Sequence, residues 1–293
     1  MTFATRTLKE QACAAQAEIA SRVAGRQGGV PTFFDNFLNG VVTRLKSNEA
    51  LHGWNVKQQA LPATHTAQVI GELQWLSKFL EARKRGRFVS YRERREEDDR
   101  GRPCDIGPLE LLMSQGTATC LEWNGSPLFK TVFDFAIVPM LLSELKPATI
   151  FEIGSGTGTS ARWMADLMTS FDLDCQIRSV DIKPVGEAYP GVHFSAGDCK
   201  SPASLFDADL LRTAPHPFLV IEDAHINVHD VLAHMDSFLV KGDYLFVEDS
   251  RDKAGDLEKF SNARANRYKV DTRYTDFFGR NATCAANSIF VRI

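Results

Sequence analysis

TIFEIGSGTGTSARWMADL, residues 149–167, joins an apolar run ending at Glu152 and Ile153 to a turn with glycine at 154, 156 and 158, and then to residues at helical spacing. That order reads as strand, tight turn and helix. Glycine lets the backbone turn sharply and come close to a ligand, and a helix beginning at Thr159 and Ser160 offers N–H groups that lack intrahelical partners. A polar ligand is expected over this turn.

The alternation continues downstream. Candidate strands are Thr149 to Ile153, Gln176 to Ile182, Val192 to Ser195, Phe218 to Glu222, Tyr244 to Glu248, Tyr268 to Thr272 and Ser288 to Ile293. Seven short β-branched runs with helical patterns between them predict one doubly wound α/β domain with a largely parallel sheet. Upstream of Pro147 the chain reads as helical. Thr7 to Ala24 is Ala-rich, Thr32 to Lys46 carries Phe33, Phe34, Phe37, Leu38, Val41, Val42 and Leu45, and Thr66 to Lys84 carries Val69, Ile70, Leu73, Leu76, Phe79 and Leu80. These stripes are core candidates. A further helix, Thr131 to Leu145, leads into the sheet. The stretch RKRGRFVSYRERREEDDRGR, 83–102, has nine basic and five acidic residues. Its charge predicts a solvated or disordered loop, with a mobile lid meeting an anionic substrate or a partner subunit as the sharper alternative.

Composition sets limits on function. In 293 residues, 34 basic and 37 acidic side chains give a net charge of -3, which supplies no field for gathering nucleic-acid phosphates. Six cysteines without a C-x-x-C pair read as reduced thiols rather than a disulfide frame or structural zinc. No apolar run approaches the ~20 residues of a membrane helix, and the first residues lack a signal-peptide core. The expectation is a cytoplasmic enzyme with no nucleic-acid or membrane partner.

Three strand ends carry acids, Glu152, Asp181 and Asp198. Asp181 lies 27 residues after Gly154, where a carboxylate can accept from both ribose hydroxyls of an adenosine. The turn reads G-S-G-T-G and departs from the G-x-G-x-x-G spacing of dinucleotide sites. Together these favour S-adenosylmethionine (SAM) over NAD, with Gly154, Ser155, Gly156, Gly158 and Ser160 as the turn's cofactor-facing set. The next two strand ends add Asp223, Glu248 and Asp249. Carboxylates converging at one sheet edge suit a hard divalent ion such as Mg2+. His225, two residues past Asp223, is a candidate proton acceptor.

LEWNGSPLFKTVFDF, with Trp123, Gly125, Pro127, Lys130 and Asp134, the KPATIFEIGSGTGTSA segment, the VEDS strand end and the tail DTRYTDFFGRNATCAANSIFVRI resemble one known family. It is the metal-dependent SAM methyltransferases grouped with the cephalosporin hydroxylase protein of cephamycin biosynthesis. The resemblance covers roughly Leu121 to Ile293. It implies a Rossmann-like class I methyltransferase sheet of seven strands, SAM at the glycine turn, Mg2+ near the fourth and fifth strand ends, and Glu248 and Asp249 as paired metal ligands. The fourth-strand ligand is Glu222 or Asp223, with Asp223 chosen. Family members of this shape often form oligomers, so a homo-oligomer is expected.

The division expected is a helical substrate or oligomerisation region, 1–120, and a SAM-binding methyltransferase domain, 121–293. The activity expected is Mg2+-assisted O-methylation of a small-molecule secondary metabolite. N-methylation, an accessory SAM-binding protein supporting a partner oxygenase, and a nicotinamide oxidoreductase are the alternatives.

Overall fold

The computed structural model describes residues 8–25, 33–47, 63–101 and 103–293. They group into two units, Met1–Arg85 and Gly86–Ile293. In the first, α1 (Leu8–Ala24) packs on α2 (Phe33–Ser47) and α3 (Ala63–Lys84). Ile19, Leu38, Val41, Val42 and Leu76 are buried together, with Phe79 and Leu80 against them. Leu38, Val41 and Val42 have the i, i+3, i+4 spacing that shares one helix face. The side chains of Phe33, Phe34, Phe37, Leu45, Val69, Ile70 and Leu73 lie outside the described residues.

The second unit opens with β1 (Phe88–Val89), α4 (Tyr91–Asp99) and α5 (Pro108–Met113). A short hairpin of β2 (Glu122–Trp123) and β3 (Ser126–Pro127) leads into α6 (Val132–Leu145), which Thr131 caps by accepting from the Asp134 N–H at 3.0 Å. The sheet is then laid down by β4 (Thr149–Ile153), β5 (Gln176–Asp181), β6 (Val192–Ala196), β7 (Phe218–Glu222) and β8 (Tyr244–Val247). Helices α7 (Thr159–Ser170), α8 (Ala208–Thr213), α9 (Val228–Asp236) and α10 (Ala254–Ala263) alternate with these strands. Strand β9 (Tyr268–Asp271), α11 (Thr272–Thr275) and β10 (Ile289–Arg292) complete the unit.

The strand order is β1-β9-β10-β8-β7-β4-β5-β6. Strands β4 to β8 are parallel, and β10 runs antiparallel between β8 and β9. All seven expected strands form, each end within one residue of its expected place. The sheet has eight strands rather than seven because β1 adds to its edge beside β9.

Successive strand residues point to opposite faces, so a parallel sheet covered on both sides is apolar throughout. Phe151 and Ile153 join Val231, Leu232 and Met235 of α9 and Leu257 and Phe260 of α10 on one face. Ile150 joins Ile137 and Leu141 of α6 and Trp163 and Met164 of α7 on the other. Strand β4 has β5 on one side and β7 on the other, so the chain reverses its direction of winding there. In open α/β sheets, ligands bind at the carboxyl ends of the strands flanking such a point.

The stretch 83–102 is neither the expected solvated loop nor a lid. It supplies β1 and α4, and Ser90 and Glu93 close a capping box at the start of that helix; Arg102 lies outside the described residues. Arg94 is fully buried, and its guanidinium donates to Asp276 at 2.6 and 2.7 Å, Asn281 at 2.9 Å and Asn287 at 2.6 Å. Arg87 donates to Asp271 at 2.8 Å, and Arg280 donates to Asp98 at 2.5 Å and to the Arg94 carbonyl at 2.8 Å. A guanidinium supplied with this many oriented acceptors is satisfied inside the fold, where charge-assisted bonds are strongest.

Candidate functional site

The turn from β4 into α7 has three glycines with positive φ, each for a different reason. At Gly154 (φ 104°) a Cβ would stand 2.7 Å from the backbone carbon of Asp223, so this turn and the one after β7 touch through main chain. At Gly158 (φ 78°) a Cβ would meet the Phe194 ring at 2.9 Å. Gly156 (φ 51°) has open space over it, and its N–H donates to Asp181 Oδ2 at 3.0 Å.

A cavity of about 440 Å3 lies over this turn, lined by Gly154, Ser155, Gly156, Ser160, Asp181 and Asp198 among others. Six of the eight expected cofactor residues therefore face one cavity. Glu152 and Gly158 do not. Glu152 is buried behind the turn and accepts from the Ser179 hydroxyl, which shares a 2.6 Å hydrogen bond with the Ser155 hydroxyl. Burial pushes its carboxyl up to about 7, against the pull of the Ser179 hydrogen bond. It braces the turn from inside; Gly158 packs it against β6.

The acids after β7 and β8 separate into two layers. Asp223, His225 and Asp249 converge, and one donor atom from each lies within 4.8 Å of the others. His225 Nε2 stands 3.4 Å from Asp223 Oδ1 and 3.5 Å from Asp249 Oδ2, ion-pair separations rather than tight hydrogen bonds. His225 and Asp249 both hold left-handed backbone, φ 59° and 46°, a cost that persists where surroundings over-determine a conformation and that clusters at functional sites.

Glu248 and Glu222 form the inner layer. Glu248 is buried, and both its oxygens lie 2.5 Å from Lys130 Nζ, which is also 3.5 Å from Asp223 Oδ2. Burial and the Asp223 charge push the Glu248 carboxyl up to about 8, with Lys130 pulling the other way. Glu222 is fully buried, ion-paired with Lys253 at 2.7 Å, and accepts from the Ala224 and His225 N–H groups at 3.1 and 3.0 Å. It shapes the turn that presents Asp223 and His225. The geometry thus separates Glu222, committed to that turn, from Asp223, which lines the cavity.

Of the residues in the family-like pattern, Trp123 donates to Asp166 at 2.7 Å, and Asp134 accepts from the Cys284 N–H at 3.0 Å and from the Thr131 and Thr283 hydroxyls. These are anchors. Lys130 lines the cavity and pairs with Glu248 and Asp223, a role that the sequence pattern marked as a position without revealing its partners.

A parallel sheet with one antiparallel strand inserted near its end, a glycine turn at the switch point and acids on the flanking strand ends define a class I methyltransferase. A profile of the family described as Rhamnosyl O-methyltransferase/CmcI matches residues 115–268. The chain belongs to that family. It is 28% identical over 195 residues to the Rhamnosyl O-methyltransferase of Mycobacterium tuberculosis (strain H37Rv), covering 59% of this chain and 79% of the relative. The Rhamnosyl O-methyltransferase of Mycobacterium leprae is 32% identical over 136 residues, 44% of this chain and 59% of the relative. A solved structure described as "cmcI-D160 Mg-SAM" superposes with a TM-score of 0.51 at 25% identity, covering 59% of this chain and 76% of that one. A second, "CmcI-N160 apo-structure", shares the fold with a TM-score of 0.52 at 24% identity, covering 64% and 85%.

Proposed function

We propose that the protein transfers a methyl group from SAM to a hydroxyl oxygen of a small ring-bearing acceptor, with Mg2+ assisting, a rhamnosyl hydroxyl being the acceptor named for the relatives above. The observation that carries the reading is that Asp223 belongs both to the wall of the glycine-turn cavity and to the Asp223, His225, Asp249 cluster. Cofactor and acceptor oxygen are thereby brought to one place.

Bound there, SAM supplies an electrophilic methyl group, and Mg2+ supplies a charge that lowers the acceptor hydroxyl's pKa. The carboxylates of Asp223 and Asp249, an oxygen of each within 4.8 Å of the other, would hold a divalent ion; Glu248, expected from the sequence as the third ligand, is engaged by Lys130 behind them in this structure. Asp181 and Asp198 would accept from the hydroxyl and amino donors of the adenosine, and the Gly154 to Gly156 turn would hold the rest of the cofactor. His225 Nε2 accepts the acceptor's hydroxyl proton. Its contact with the Asp223 carboxylate, which accepts from the imidazole, and the charges of Asp223 and Asp249 hold its pKa above the ordinary value, against burial and the Lys253 charge, which lower it. As the new O–C bond forms, the C–S bond breaks and the thioether leaves.

Residues 121–293 carry every group of this site; of the region ahead of them, 1–120, β1 and α4 are built into the sheet unit, which leaves the helices before Gly86 for self-association as a homo-oligomer. No helix among the described residues is long and apolar enough to cross a membrane. All six cysteines are free, in keeping with a cytoplasmic setting.

The test is a calorimetric titration of Mg2+ into SAM-loaded, metal-stripped protein, wild type against Asp249→Ala. Saturable binding that the variant loses while keeping its SAM affinity supports the site. Equal binding in both overturns the metal assignment, and no SAM binding by wild type overturns the methyltransferase reading.

A further inference from the structure

The segments that carry Lys130 and Asp223 also bring apolar side chains to the cavity. Around the glycine turn its lining includes Ser160, Asp181 and Asp198 together with Val180, Ile182 and Leu205, and Leu128, Phe129 and Ile226 join it from the segments that carry Lys130 and Asp223. Phe129 is 67% exposed although both its neighbours are buried, Leu128 at 1% and Lys130 at 4%. The backbone there is tied down: the Leu128 N–H donates to the Leu121 carbonyl at 2.7 Å, and the Lys130 N–H to the Leu128 carbonyl at 2.9 Å. A benzyl side chain on a fixed main chain is thus presented to the open cavity, one residue from the lysine that pairs with Glu248 and Asp223. Ile226, 48% exposed, adds an aliphatic surface one residue beyond His225. An exposed phenylalanine alone carries no message. One lining a cavity beside a carboxylate and imidazole cluster does, because binding sites combine an apolar wall with a few placed polar groups.

On the methyltransferase reading the glycine-turn side takes the cofactor, which leaves the side beside Lys130 and Phe129 for the acceptor. That acceptor has to show oxygen to Asp223, His225 and Asp249 and an apolar face to Phe129. We infer that Phe129, with Ile226, is the platform on which the apolar face of a ring-shaped acceptor rests, and so sets acceptor specificity. Rings with neighbouring oxygens on one edge and C–H or π surface beside them have this chemistry, whether deoxyhexose or dihydroxyaromatic. The inference rests on the methyltransferase reading above and deepens it.

The experiment uses the full chain loaded with S-adenosylhomocysteine and Mg2+. Two probes, methyl α-L-rhamnopyranoside and 3,4-dihydroxybenzoate, are titrated in turn, and their order of affinity distinguishes the two ring classes. The variants are F129A, F129L, I226N and, as a surface control on α5, L109A, whose parent side chain is 61% exposed. The expected result is that wild type binds at least one probe. F129A weakens that binding tenfold or more with S-adenosylhomocysteine affinity unchanged, F129L recovers part of it, I226N weakens it too and L109A matches wild type. Probe binding that F129A leaves unaltered overturns the inference. So does failure of wild type to bind either probe while cofactor and Mg2+ still bind, and that outcome leaves the methyltransferase reading standing. Loss of cofactor binding in wild type overturns both.

Discussion

Asp181 accepts from two backbone N–H groups, Gly156 at 3.0 Å and Lys183 at 3.3 Å, one on each oxygen, and lines the cavity where the ribose is proposed to lie. Asp181→Ala is expected to weaken SAM binding by ~1 to 3 kcal/mol, the cost of leaving polar donors without their charged acceptor, as read by calorimetry; unchanged affinity would refute the ribose role. Asp236 gives a second residue-scale expectation, away from the site. Its carboxylate accepts from Arg264 at 2.7 Å, Arg267 at 2.8 Å and Tyr268 at 2.7 Å. Burial pushes that carboxyl up, but the Arg264 and Tyr268 hydrogen bonds and the arginine charges outweigh burial and hold it below the ordinary aspartate value. A carboxyl depressed in the folded state stabilises the fold above the unfolded pKa of about 3.9, and the contribution disappears as pH falls through the lower folded value. In urea unfolding followed across that range, wild type should lose stability more steeply with acid than Asp236→Asn. The strand-end acids were legible because parallel strands deliver their last residues to a common edge. Which acids face outward was not: neighbouring residues point to opposite faces, so Glu248 turns in to Lys130 while Asp249 meets His225.

At the scale of elements, α4 and its arginines show where sequence reading went blind. Tyr91, Arg94 and Asp98 follow the i, i+3, i+7 spacing of a helix face, and all three are turned inward, but only Tyr91 is apolar. A periodicity search weighs hydrophobicity, so a helix whose inward face is largely ionic registers as a charged loop. The partners lie some 180 residues away in the tail after β9, and no local pattern pairs them. The strands of the sheet were legible for the opposite reason, being apolar on both faces. Arg94→Met should destabilise the fold by ~3 to 5 kcal/mol, because it strands buried acceptors, including Asp276. Arg92→Ala, removing an exposed side chain paired with Glu96 at 3.0 Å, should cost less than about 1 kcal/mol. Thermal and urea unfolding of the two variants would check the contrast, and equal small losses would show that the ionic face contributes little.

For the whole molecule, the division between Arg85 and Gly86 has a consequence for truncation. Cutting there keeps β1 beside β9 and α4 over the tail, so residues 86–293 should purify as a folded protein that binds SAM. A chain starting after residue 102 loses the Phe88–Val89 pairing with Val270 and Asp271, baring a sheet edge, and should aggregate. Light scattering and SAM titration of the two truncations distinguish these outcomes; matching behaviour would place the unit boundary elsewhere. One contact reaches across the sheet's switch point and bears on the protein's history. Any L-residue at 154 would bring its Cβ within 2.7 Å of the main chain at Asp223, in a backbone conformation that side chains rarely adopt. Main chain cannot be trimmed by a point mutation. Glycine at 154 is therefore held in place by main chain 69 positions away in the gene product, and no single substitution at 223 makes room for a side chain there.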